Sequence, residues 1–265
     1  MDEKPKENWG SAGPYERYVG RWSRKVATEF LAWISVSAGA AWVDIGCGTG
    51  ALTECILAQC QPQSVAMVDK ADGFVSAARE RITDRRVTFH TADATALPWN
   101  NDTFDATVSG LVLNFVSNHK SMLSEMARIT KRDGKVAAYV WDYGLGMEMM
   151  RNFWDAAIAV TPDNSKLNEA ERFPICQPEP LERLLHDIGL SQISCRAIDI
   201  PTVFRNFDDY WNPFLGKQGT APTYLASVDD VTRERIRAEL ESRLVPSQDG
   251  TIALTARAWA VQGTV

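Results

Sequence analysis

Between residues 15 and 34 the positions Tyr18, Val19, Trp22, Val26, Phe30 and Trp33 recur at helical spacing, and so predict an amphipathic helix. Beyond it the pattern becomes one of short apolar blocks. "AAWVDI", ending at Ile45, reads as a buried strand, and "GALTECILAQC" as the helix after it. "SVAMVD" (64–69) is a second strand, followed by a helix from about Asp72 to Ile82. "RVTFHTAD" (86–93) and "DTFDATVSG" (102–110) are the third and fourth, with a helix from about Asn118 to Ile129. "KRDGKVAAYVWD" (131–142) reads as a turn at Asp133-Gly134 feeding a fifth strand. Apolar strands alternating with helices predict a parallel sheet covered on both faces, a doubly wound α/β architecture. Ligands of such sheets gather outside the carboxyl ends of the strands.

After Asp142 the alternation breaks. Residues 144–175 contain the helical stretch "MEMMRNFWDAAIAV" and a polar loop. "PEPLERLLHDIGLSQISCRAIDI" is a helix, a stop at Gly189 and a sixth strand. Residues 206–245 are helical again, with "DDVTRERIRAELESRL" as a solvated amphipathic helix, and "GTIALTARAWAV" closes as a seventh strand. The expected organisation is one domain over 1–265, with a lid helix at 1–34 and helical cap insertions at 144–175 and 206–245.

The net charge of -6 and pI near 5.2 argue against a partner bound through its phosphate backbone, which needs a basic face. No apolar run approaches the roughly 20 residues that span a bilayer, and "MDEKPKENWGSAGPYERY" lacks the apolar middle of a secretion signal. Five cysteines at irregular spacing, without a CxxC pair, suggest neither disulfides nor a metal site. The expectation is a cytoplasmic protein that binds no membrane, nucleic acid or metal. Oligomeric state is left open.

The chemistry concentrates in "WVDIGCGTGALT" (42–53), where Asp44 precedes glycines at 46, 48 and 50. Glycines between a strand and a helix bring bare backbone against a ligand. Gly46 to Ala51 fits the dinucleotide pattern G-x-G-x-x-G/A, yet an acid followed by G-x-G-x-G also opens S-adenosylmethionine (SAM) sites. Asp69, Asp93 and Ser109-Gly110 end the next three strands, so four strand ends point into one crevice.

At these residues the chain resembles class I SAM-dependent methyltransferases, in particular the type 11 group similar to ubiquinone/menaquinone-biosynthesis enzymes. "VDIGCGTG" looks like the family's first motif and "MVDKADGFVSAAR" its second. "TADATALPWNNDTFDATVSG" looks like the third-strand acid, the Leu-Pro turn and the fourth strand. "ARITKRDGKVAAYVW" looks like the helix, turn and fifth strand, with Asp133-Gly134 where the family usually has Pro-Gly. The resemblance implies a Rossmann-like seven-stranded sheet with the last strand antiparallel, SAM as cofactor and S-adenosylhomocysteine as product. It implies a cofactor site of Asp44, Gly46, Cys47, Gly48, Gly50, Asp69, Lys70, Asp93, Ala94, Ser109, Gly110 and Leu111. In it Asp44 faces the ligand's ammonium, Asp69 the ribose hydroxyls, and Asp93 with the Ala94 N–H the adenine. A pyrophosphate brought to the same turn would be repelled by Asp44, which favours SAM over a nicotinamide dinucleotide.

Methyl transfer from a sulfonium disperses charge, so a dry, aromatic-lined pocket and close contact of the reactants can suffice. Tyr15, Tyr18, Arg21 and Trp22 on the first helix, Asn114 and Phe115 after strand four, and Trp141 and Tyr143 after strand five are the candidate substrate-binding residues. Asp142 is the candidate base if the acceptor must lose a proton, and His119 is expected only to start a helix. "WNPF" (211–214) is similar to the N-P-P-F/Y motif of amino-methylating nucleic-acid enzymes, but it lacks the second proline and lies far from strand four. The expected function is methyl transfer to a small-molecule acceptor. A nicotinamide-dependent oxidoreductase and a non-catalytic SAM-binding protein stay open beside it.

Overall fold

The computed structural model describes residues 20–162, 167–216 and 219–265. Tyr15 and Tyr18, and most of the expected lid, lie outside them. The helix predicted from residue 15 is described as α1, Arg21–Ile34. There follow β1 (Ala41–Ile45), α2 (Ala51–Gln59), β2 (Ser64–Asp69), α3 (Asp72–Arg81), β3 (Val87–Thr91), β4 (Phe104–Gly110), α4 (His119–Ile129) and β5 (Thr130–Trp141). After these come α5 (Glu148–Val160), α6 (Glu169–Arg172), α7 (Pro178–Asp187), β6 (Ser191–Phe204), α8 (Phe207–Trp211), α9 (Thr220–Ser227), α10 (Asp230–Arg243) and β7 (Ile252–Thr264).

The seven strands form one sheet in the order β3-β2-β1-β4-β5-β7-β6. β1 pairs in parallel with both β2 and β4, β2 with β3, and β4 with β5, while β7 runs antiparallel to β5. This is the expected doubly wound sheet with its last strand reversed. Strand order turns back at β1 and β4, and that is where such sheets take their ligands.

By contacts the chain divides into two compact units. The sheet unit comprises Ser23–Trp141, Ile175–Ile198 and Ala258–Val265; the helical unit comprises the described residues up to Trp22 and those within Asp142–Pro174 and Asp199–Arg257. In the sheet unit, the continuous apolar runs of the parallel strands are buried on both faces, as at Val65 to Val68 and Val136 to Val140. α2 adds Leu52, Cys55 and Ile56 to that core, and α4 adds Met122, Leu123, Met126 and Ile129. α4 starts where Asn118 caps it, its side chain accepting the Ser121 N–H at 3.0 Å, so His119 is the first helical residue.

One boundary differs from the sequence expectation. Asp133-Gly134 is not a turn ahead of β5 but lies inside it. Asp133 is left-handed (φ 63), and the register against β4 jumps from Phe104↔Thr130 to Ala106↔Lys135. The extra residues bulge, and the chain end holds them: Asp133 N–H donates to the Val265 carbonyl, and Val265 N–H to the Gly134 carbonyl. Pairing with the last strand thus carries the ladder through a dipeptide that alone would make a turn.

The helical unit is packed by rings. Phe153 and Phe214 stack at 4.5 Å with 10° between planes, Trp154 lies 5.3 Å from Tyr224, and Phe204 meets Tyr210 edge-on at 5.0 Å. Polar tips are satisfied inside the cluster. The Tyr210 hydroxyl donates to the Met149 carbonyl at 2.6 Å, and the Trp154 N–H donates to the buried Glu169. α10, expected as a solvated amphipathic helix, buries only Ile236 and Leu240 and packs on α5.

Candidate functional site

The glycine turn sits between β1 and α2, and each of its glycines has a different cause. A Cβ on Gly46 would lie 2.6 Å from Val112 Cγ1, and one on Gly50 would lie 2.6 Å from Ile82 Cδ1 and 3.1 Å from Met67 Cε. Neighbouring side chains therefore dictate both ends. A Cβ on Gly48 would meet no atom within 4 Å. All three have positive φ (71°, 50° and 89°), the left-handed region where a side chain is strained.

The turn is stitched to the next strand. Gly46 and Cys47 N–H both donate to the Val68 carbonyl at 2.7 and 3.0 Å. The Gly48 N–H donates to Asp69 Oδ2 at 3.0 Å, and the Ala71 N–H to Asp69 Oδ1 at 2.9 Å. Asp69 is thereby held by two backbone donors in one orientation at the end of β2, with lone pairs left for further donors. Beneath the turn, Asp44 is completely buried. Its Oδ2 accepts the Thr53 hydroxyl at 2.8 Å, while Oδ1 has no hydrogen-bond partner. Burial, reinforced by the negative charge of Asp69 and partly offset by Thr53, pushes the Asp44 carboxyl up to about 7. Burial also pushes the Cys47 thiol well above its usual range, so that cysteine packs rather than reacts.

Asp93, past β3, is exposed. Its Oδ1 caps a turn, accepting the Thr95 N–H at 2.8 Å and the Thr95 hydroxyl at 2.6 Å. These bonds, with the attraction of the exposed Lys70, lower its pKa. Ala94 follows, half-buried. At the end of β4 the Ser109 hydroxyl donates to the Ile45 carbonyl at 2.8 Å, tying β4 to β1. Gly110 is glycine because a Cβ there would press on the Tyr139 ring, 2.6 Å from Cζ, and Tyr139 is itself packed on Phe30 at 4.7 Å. Leu111 is left-handed at φ 62, and its N–H donates to the Tyr139 carbonyl at 2.8 Å. A non-glycine residue in that region costs of order 1–3 kcal/mol and collects at functional sites.

Of the substrate candidates in the sheet unit, Asn114 is buried in a short 3-10 turn (Leu113–Phe115) with its Nδ2 unpaired. Trp141 is buried at the end of β5 with its Nε1 unpaired, and Phe115 is half-buried. The remaining candidates belong to the helical unit. Asp142 is buried and shapes its own loop: Oδ1 accepts the Gly144 and Leu145 N–H groups at 3.1 Å each, and its carbonyl accepts Met147 N–H. Tyr143 packs 5.7 Å from Phe173. The Arg21 guanidinium lies 4.5 Å from the Trp22 ring and 4.6 Å from that of Phe204.

Two residues important to this geometry escaped sequence reading. Thr53 holds Asp44, and its signal is a hydroxyl in the first turn of α2, beside the buried Leu52. Tyr139 makes Gly110 obligatory, and nothing in the sequence marks that contact. Among the described residues no group of His, Cys, Asp and Glu is arranged to hold a metal ion, and no helix is long and apolar enough to cross a membrane.

Comparison with known proteins bears on the family and the fold. Residues 43–138 match the Methyltransf_11 family, described as a methyltransferase domain. An uncharacterized methyltransferase of Schizosaccharomyces pombe is 22% identical over 213 residues, 78% of this chain and 80% of the relative. A demethylmenaquinone methyltransferase of Symbiobacterium thermophilum is 32% identical over 130 residues, 47% of this chain and 49% of the relative. The chain thus covers most of the yeast protein but about half of the bacterial one. Among solved structures, a Haemonchus contortus phosphoethanolamine N-methyltransferase 2, in complex with phosphomonomethylethanolamine and S-adenosylhomocysteine, superposes with a TM-score of 0.58 at 16% identity, covering 95% of this chain and 56% of that one. That likeness speaks for the fold. Motif order, strand order and the domain match agree: residues 43–138 form a methyltransferase domain of the class I SAM-dependent type.

Proposed function

We propose that the chain transfers a methyl group to a small-molecule acceptor by in-line displacement, with rate derived mainly from contact and desolvation. The observation that carries the cofactor half is Asp44: a buried carboxylate with one oxygen unpaired beneath a turn whose middle glycine faces no protein atom. Buried anions are normally compensated, and SAM brings an ammonium and a sulfonium to a place where a dinucleotide would bring pyrophosphate. When bound, SAM supplies a methyl group activated by positive sulfur. The chain's part is to bind and orient. Gly46, Cys47, Gly48 and Gly50 form the cradle. Asp69, fixed by the Gly48 and Ala71 N–H groups, offers lone pairs to vicinal hydroxyls. Asp93 keeps Oδ2 for an adenine amino group while Oδ1 holds its turn. Ala94, Ser109, Gly110 and Leu111 line the backbone side, with Lys70 at the rim.

For the acceptor, Asn114 and Trp141 each hold a buried N–H donor that has no partner among the described residues. They support a polar contact to an oxygen or nitrogen of the acceptor within an otherwise apolar wall that includes Phe115. Such a wall favours a reaction that disperses charge. Asp142 remains the candidate base. Its Oδ1 already accepts two N–H bonds, which leaves Oδ2 for a proton. The acidic pI supports a small molecule over nucleic acid.

Calorimetry tests this reading. SAM and S-adenosylhomocysteine should bind with micromolar affinity, and NAD and NADP should not. Asp69→Ala should weaken binding by about 1.5–3 kcal/mol, since it removes a charged acceptor from buried hydroxyls, or roughly 10- to 150-fold. Asp93→Ala should weaken it less. Unaltered cofactor affinity in the Asp93 variant would instead favour a nicotinamide enzyme.

A further inference from the structure

Outside the strand ends, the most conspicuous unused chemistry lies in the helical unit, at the start of α1. Arg21 donates Nη1 to Asp209 Oδ1 at 3.1 Å. Its other edge, Nε and Nη2, is buried and has no hydrogen-bond partner among the described residues. Those two donors form the side-on fork of the guanidinium, whose parallel N–H groups match the two oxygens of a carboxylate or phosphate. The ion is also held flat. It lies 4.6 Å from the Phe204 ring and 4.5 Å from the Trp22 ring, and Asp209 fixes the far side. An arginine whose only role was the Asp209 ion pair would not keep its fork out of water and unpaired, because a buried donor left unmet loses its hydration without replacement.

A second observation lies on β6, in the same unit. Residues Ile200, Thr202 and Phe204 alternate onto one buried face of the strand. Thr202 is fully buried, and its hydroxyl has no partner. It stands roughly 7 Å along the strand from Phe204, the ring that carries the guanidinium. Valine would fill that position without a polar atom. A fork on the Phe204 ring and a hydroxyl two residues before it on the same buried strand face, both unmet among the described residues, ask for a ligand group rich in acceptors.

The local charge agrees. Asp209 is shared by Arg21 and Arg205, at 3.1 and 3.6 Å, so two cations face one carboxylate in a chain whose overall charge is -6. Attraction by both arginines, together with the Arg205 backbone N–H, outweighs burial and lowers the Asp209 pKa. It therefore remains an anion that balances only one of them.

We propose that Arg21, with Thr202, is an oxyanion site that grips a carboxylate or phosphate through the Nε/Nη2 fork. On the methyltransferase reading the anion has two sources, the amino-acid carboxylate of the cofactor or an acidic group on the methyl acceptor. The second would restrict acceptors to acidic molecules. The test uses the full chain. With S-adenosylhomocysteine present, sodium benzoate and inorganic phosphate are titrated while the Arg21 Nε–H resonance is followed. In parallel, calorimetry compares S-adenosylhomocysteine with 5′-methylthioadenosine, which lacks the carboxylate, on wild type, Arg21→Lys and Thr202→Val.

If the anion is the cofactor's, Arg21→Lys weakens S-adenosylhomocysteine about tenfold or more and spares methylthioadenosine. If it is the acceptor's, S-adenosylhomocysteine is unaffected, benzoate or phosphate shifts the Nε–H signal of the wild type, and Arg21→Lys loses that binding. Thr202→Val, which keeps the shape, should give a smaller loss in the same assay with the melting temperature unchanged or raised. A wild-type Nε–H signal indifferent to S-adenosylhomocysteine, benzoate and phosphate alike overturns the proposal, whether or not Arg21→Lys folds. Failure of the wild type to bind S-adenosylhomocysteine at all would instead count against the methyltransferase reading, and an Nε–H shift with benzoate would still support the oxyanion site.

Discussion

The two units are built by different means. In the sheet unit the site is made of backbone. Glycines, strand ends and N–H groups are tied together by hydrogen bonds such as Gly46 and Cys47 to Val68 and Gly48 to Asp69. In the helical unit order comes from side chains, with Phe153 on Phe214, Trp154 on Tyr224 and Tyr210 against Phe204. A backbone-built site tolerates no added atom at certain positions and is indifferent at others. A ring-built core responds to volume removed wherever it is removed. The first arrangement suits a ligand with a fixed shape, as the cofactor has. The second can be repacked by substitution without disturbing hydrogen-bond ladders.

The largest effect is expected from the ring-built core. Phe214→Ala removes a fully buried ring stacked on Phe153 and should cost about 3–5 kcal/mol of stability, read by denaturant unfolding. A loss below about 1 kcal/mol would mean that the cluster rearranges freely and is not a core in this sense.

Next come two alanines at neighbouring glycines. Gly46→Ala adds a methyl group against Val112 at a left-handed position, and should cost about 2–4 kcal/mol from overpacking and backbone strain together. Gly48→Ala meets no protein atom and should cost only about 1–2 kcal/mol from its positive φ, while weakening S-adenosylhomocysteine sharply. Equal stability losses in the two variants would contradict the separate causes assigned to these glycines.

The smallest effect is a slope. Asp44 has a folded-state pKa of about 7, raised above the usual 3.8 chiefly by burial. The stability of its neutral form is complete below about pH 4 and is lost as pH rises through 7. The cofactor-free protein should therefore melt lower at pH 8 than at pH 6. A cationic ligand favours the ionised form, so SAM should bind more tightly over the same interval, by at most about tenfold per pH unit. Asp44→Asn should flatten the slope. A slope unchanged in that variant would assign it to another group.

Much of the sheet unit was legible in advance because its signals are local. Apolar runs bounded by turn residues located β1, β2 and β4 to within about two residues, and Asp44, Asp69 and Ser109 could be placed at strand ends from spacing alone. What stayed hidden depends on contacts between distant residues. Asp133-Gly134 reads as a turn until the chain end pairs with it. The reason for Gly110 is a tyrosine on the neighbouring strand. Asp44 could be expected to face a ligand, but its complete burial and unpaired oxygen depend on the packing above it. In the helical unit periodicity located α5 and α10 but not which faces meet. A charge pattern such as that of α10 says which side is wet, not which two residues are dry.

The three glycines of the β1–α2 turn also differ in how they could be used by an engineer. Positions 46 and 50 are crowded by Val112 and by Ile82 with Met67, so a side chain there must displace its neighbours as well as accept a left-handed backbone. Position 48 is the one place in the turn where a new side chain has room, provided it accepts a left-handed backbone, as asparagine and aspartate do. Screening those two residues there against cofactor analogues with altered amino-acid tails would be the economical route to an enzyme that ignores the natural donor and uses a synthetic one.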